Sequence, residues 1–89
     1  RDRLSAEVAS ARATAEAAQE QLDVERQRAA LLRERAGLIE RSFKAGDTPL
    51  PELLRAFNAA LQADASLARQ QTAVGLARAR LQQTLGILP

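Results

Sequence analysis

Small or apolar residues recur along the first half of the chain at alternating steps of four and three. The series runs Leu4, Val8, Ala11, Ala15, Ala18, Leu22, Ala29, Leu32, Ala36, Ile39, Phe43, and only Glu25 interrupts it. A 3-4 spacing held over about five heptads is the seam of a coiled coil. No Pro and a single glycine, Gly37, fall inside this stretch. The spacing predicts one helix over residues 2–44, about 65 Å long at ~1.5 Å per residue.

A second line runs beside the first at steps of seven: Ala17, Val24, Leu31, Leu38. A two-stranded coiled coil does not need it. Two adjacent apolar stripes suit a helix with neighbours on both sides, as in a bundle or a ring of helices. The second half repeats the pattern. Leu53, Ala60, Leu67, Val74, Leu81 and Leu88 stand seven apart, and Leu54, Leu61, Ala68 and Gly75 run parallel to them. Ala56, Ala63 and Ala77 add a third line. These lines predict a helix over 51–86, a little over 50 Å long at ~1.5 Å per residue. Its alanines and Gly75 allow close helix approach.

Between the two lies "FKAGDTPLPELLRAF", residues 43–57, where the pattern breaks. Lys44 sits in the last turn of the first helix, where a cation suits the carbonyl end of the dipole. Gly46 can adopt the left-handed cap conformation. Asp47 and Thr48 are candidate N-caps of the second helix, and Pro49 and Pro51 are tolerated in its first turn. Glu52 lies near its positive end. A turn over 45–50 makes the helices antiparallel neighbours. The predicted fold is therefore all-α: a long antiparallel helical hairpin, coiled-coil-like, forming a single unit over residues 1–89. So thin a hairpin buries little by itself and needs partners, either copies of itself or the rest of a larger protein.

The residue types present exclude most chemistry. The chain has no His, Cys, Met, Trp or Tyr. No catalytic residue is expected, because neither an imidazole for proton transfer nor a thiol nucleophile is available, and Ser5, Ser10, Ser42 and Ser66 lack an activating base. Glu16, Glu20 and Asp23 share a helix face, but without the Glu-x-x-His pairs of helix-borne carboxylate metal sites they read as a solvated acidic strip. The four glycines are dispersed and make no phosphate loop. No metal or cofactor is expected. The net charge is +2 and the pI about 10.4. Signs alternate along "DVERQR" and "LRERAG", as on a solvated helix face, so no nucleic-acid partner is expected. No apolar run approaches the ~20 residues of a membrane-spanning helix. The chain opens on Arg1, and is expected to be a piece of a larger protein. Asp64 and Gln71 fall close to the apolar stripes, either at a wet seam edge or on a face turned toward an aqueous lumen.

With the hairpin in hand, "FKAGDTPLPELLRAFNAALQADASLARQQ" resembles the outer-membrane efflux protein family, the TolC-like channel tunnels. The likeness rests on Phe43, Gly46, Asp47-Thr48, the Glu52-Leu53-Leu54-Arg55-Ala56 run and Leu61, and on the closing Leu85-Gly86. It covers residues 36–89, while 1–35 match only as a generic outgoing helix. Pro49, Pro51 and Arg55 depart from the family's usual residues. The resemblance implies an α-barrel segment in the periplasmic portion of a trimeric outer-membrane channel of a Gram-negative bacterium, serving efflux or type I secretion. It implies that the turn Ala45, Gly46, Asp47, Thr48, Pro49 and Leu50 docks to a periplasmic adaptor protein, which links the channel to an inner-membrane pump. Glu52 and Arg55 are then pore or entrance residues, although Arg55 stands where many members carry an acidic residue.

Two other classes share the pattern. The α-hairpin of an adaptor (membrane fusion) protein is also long and rich in Ala, Leu, Arg and Glu, but it usually leads into a lipoyl-like domain, and here the chain closes on "TLGILP". The other is a free-standing structural coiled coil, such as an antiparallel four-helix bundle of two copies. Even a channel fragment can self-associate in that way when isolated.

Overall fold

The computed structural model describes residues 2–86. Two helices account for nearly all of them: α1, Asp2–Lys44, and α2, Leu50–Gly86. Both are built from strong helix formers, Ala, Leu, Arg, Glu and Gln. Asp2 sits in the first turn of α1, and Arg41 and Lys44 in its last, each complementing the helix dipole. The helices lie side by side, and the molecule measures 67 × 14 × 13 Å. It is an all-α hairpin one helix thick, with a length set by α1 alone.

The seam follows the 3-4 series. On α1 it buries Ala11, Leu22, Ala29 and Ala36, and on α2 Leu53, Ala56, Ala60, Ala63 and Val74. Ala29 and Ala63 lose all their exposure. Alanine at these places lets the backbones approach closely, and the larger residues around them close the gaps. The densest section lies near the bend, where Ala36, Ala56 and Ala60 pack with Leu32, Ile39 and Phe57. Leu22 and Leu53 each contribute about 2 kcal/mol by leaving water.

Away from the bend polar side chains join the apolar seam of Ala11, Leu22 and Val74. Gln70 stands in the line of Ala56, Ala63 and Ala77, and its Nε2 donates to the Ala18 carbonyl at 3.0 Å. The Arg78 guanidinium donates to Gln19 Oε1 at 2.6 Å. Glu25 is half-buried in the seam; its Oε1 accepts from Gln21 Nε2, while its Oε2 is buried with no partner.

Candidate functional site

The bend is built by its backbone. Gly46 has φ +84°, a left-handed conformation that costs an L-side chain energy. Its amide donates to the Phe43 carbonyl at 3.0 Å and the Asp47 amide to the Ser42 carbonyl at 2.9 Å. This is the Schellman pairing, which satisfies carbonyls that the end of α1 would leave open. The C-cap expected of Gly46 is thus in place. The expected N-caps are not. Among the described residues no side-chain oxygen of Asp47 or Thr48 accepts from the first turn of α2. The Thr48 hydroxyl instead shares a hydrogen bond with that of Ser42, across the bend. The first acceptor of α2 is the Pro49 carbonyl, which takes the Glu52 and Leu53 amides. Pro49 stands just outside α2 and Pro51 in its first turn, where the missing N–H costs no bond. α2 therefore opens one residue earlier than the spacing predicts, at Leu50.

The six turn residues form one tip. Ala45, Gly46, Asp47, Pro49 and Leu50 are exposed and Thr48 is half-buried. Apart from Gly46 itself and its neighbours Ala45 and Asp47, no atom of the described residues lies within 4 Å of the place a Gly46 Cβ would occupy. Leu50 keeps 51% of its surface exposed and Phe43 36%, so apolar area is offered at both feet of the turn.

With Arg35, Leu32, Ile39, Ala56 and Ala59, Glu52 and Arg55 line an open groove on one flank of the hairpin. Farther from the bend, Val24, Arg28 and Leu31 border the same flank beside Leu32. The opposite flank carries Gly37, Glu40, Phe57 and Leu61, with Arg33 and Asp64. Arg33 Nη1 reaches Asp64 Oδ1 at 2.7 Å, an exposed pair that ties the helices together. Asp64 thus acts at a seam edge, and Gln71 is exposed.

The two extra apolar lines stay uncovered. On α1, Val24, Leu31 and Leu38 are exposed by 54%, 66% and 53%, and on α2 Leu54 and Leu61 by 52% and 65%. Among the described residues no group of three potential metal ligands comes together, and no helix is long and apolar enough to cross a membrane. Several features escaped the sequence reading: the Ser42–Thr48 bond, the seam position of Gln70 and the unpartnered Glu25 oxygen. The gap at position 70 between Ala63 and Ala77 was the available signal for the second, and the lone break in the α1 series for the third.

No protein family, characterised protein or solved structure matches the chain.

Proposed function

We propose that this hairpin is a periplasmic α-barrel segment of a trimeric outer-membrane channel for efflux or type I secretion. Its tip, Ala45 to Leu50, docks to a periplasmic adaptor protein and, through it, to an inner-membrane pump. One observation carries the reading: the rod buries a single seam and leaves both its tip and an apolar line on each flank open. A part of a helical barrel needs that distribution, with neighbours on both sides and a free end for a partner. The motif residues Phe43, Gly46 and Glu52 to Ala56 support the same reading. Glu52 and Arg55, on one groove near the tip, would stand close to the entrance.

Substituting Gly46 would confound docking with backbone strain, because its φ is positive. Ala45 is the better probe: it is exposed and adjoins the carbonyl end of α1, which tolerates a cation. Ala45→Arg in the parent protein is expected to leave helicity and localisation unchanged. Export is expected to fall about tenfold, the equivalent of about 1.4 kcal/mol of docking. Undiminished export by a correctly localised variant would overturn the docking role of the tip.

A further inference from the structure

We propose that the groove bordered by Gly37, Glu40, Phe57 and Leu61 is a binding site for a small aromatic ammonium cation. The inference concerns the hairpin by itself; it goes beyond the export reading and does not require it.

The groove opens on the flank that carries the Arg33–Asp64 bridge and offers a volume of about 470 Å³. That falls within the ~300–1,000 Å³ range of small-molecule sites. Ala36 and Ala60, both buried, form its floor. Phe57 is half-buried at its edge, and Leu61 stands 65% exposed beside it. Small floor residues leave room for one flat ring, and Phe57 and Leu61 offer that ring apolar contact.

Gly37 is an independent sign of a ligand. It stands in the interior of α1, where glycine loses more conformational freedom than alanine. Its φ is not positive. Apart from its chain neighbours and the backbone of its own turns, an added Cβ would meet nothing within 4 Å. Neither the backbone nor the packing of the hairpin therefore requires a glycine. On the border of the groove it has a use, because a missing side chain lets a ligand come up against the helix.

Charge sets the sign of that ligand. Glu40 is half-buried. Among the described residues the ion pairs are Arg26–Asp23 and Arg33–Asp64, so Glu40 has none. Lys44 stands four residues on, a spacing that suits an ion pair, and does not close on it. Asp64, the other acid of the groove, is matched by Arg33 at 2.7 Å. The groove thus carries one unopposed negative charge, and the carbonyl end of α1, a turn away, adds to the negative potential. An ammonium carried on an aromatic ring answers both features: its charge meets Glu40 and its ring meets Phe57 and Leu61. An organic anion of the same shape would be repelled.

Calorimetric titration of the 89-residue chain with naphthylmethylammonium tests the site, with neutral naphthylmethanol and anionic naphthylacetate as controls. The cation is expected to bind at one site, about tenfold more tightly than the alcohol, with the acetate weakest. Glu40→Gln is expected to erase the preference for the cation. Gly37→Ala is expected to weaken binding about tenfold by filling the space against the helix, while circular dichroism shows the helix kept or strengthened. Glu34→Gln, on the exposed side of α1 outside the groove, is expected to change nothing, which separates the site from the loss of one charge anywhere. Equal affinity for the three compounds would reduce the groove to an apolar patch and overturn the proposal. Undiminished binding by well-folded Gly37→Ala would overturn it too, as would no saturable binding to the folded chain. Binding that vanishes as sedimentation shows chains pairing would give the groove to a second copy, against the proposal. The tip reading is tested by export from the Ala45→Arg parent, which none of these outcomes decides.

Discussion

At the residue scale, glycine plays opposite parts at two places. Gly46 sits at φ +84°, where any L-side chain is strained. Gly37 lies inside α1, and an added Cβ there meets nothing within 4 Å. Gly46→Ala is therefore expected to cost about 1 kcal/mol, whereas Gly37→Ala is expected to add about 0.5–1 kcal/mol by stiffening the helix. Urea unfolding of the two variants reads both signs; equal effects would contradict the account of the bend. Glu25 gives a second test. Its buried Oε2 has no partner, and such a group costs about 1–3 kcal/mol. Glu25→Leu, which also continues the apolar series, is expected to raise the urea midpoint. A lowered midpoint would mean that the carboxylate holds the seam together. The sequence marks Glu25 as an interruption, but not how deeply one of its oxygens is enclosed. That depends on how far the side chain bends back toward Gln21. The Ser42–Thr48 bond was equally illegible: it needs the helix end and the turn to be folded before the two hydroxyls meet.

At the scale of the helices, alanine sets the separation. Ala29 and Ala63 have no exposed surface, so there is no room at the seam for a longer side chain. Ala63→Leu is expected to destabilise by about 1–3 kcal/mol through overpacking. Arg33→Ala, which breaks an exposed ion pair, is expected to cost less than about 1 kcal/mol. If the Arg33 variant proved the more damaging in thermal unfolding, the hairpin would be held by its charges and not by its alanines. Both helices and their seam were legible in the sequence, because a 3-4 repeat of apolar residues has one economical solution. Their outer lines were legible too: Val24, Leu31, Leu38, Leu54 and Leu61 depart from a single-seam pattern in the residues alone. The start of α2 was less so. Asp47 and Thr48 have the chemistry of N-caps, yet the Schellman turn at Gly46 carries the chain past them and the Pro49 carbonyl takes the first amides.

At the scale of the whole molecule, a rod 67 Å long and about one helix thick has little interior, and a small interior gives marginal stability. Much of its remaining apolar surface is drawn out in lines along both flanks, with Leu76 exposed apart from them and Leu50 and Phe43 exposed beside the turn. Contiguous exposed apolar surface of this kind marks contact sites. The account therefore assigns each surface a different neighbour: helices to the flanks, a foreign protein to the tip. Photoreactive residues introduced in the living cell at Asp47, at Leu31 and at the buried Leu22 test that division directly. The account predicts crosslinks from position 47 to a periplasmic adaptor protein, from position 31 to another helix of the same assembly, and from position 22 only within the hairpin. Crosslinks from position 47 to the chain's own assembly alone, with position 31 silent, would contradict it.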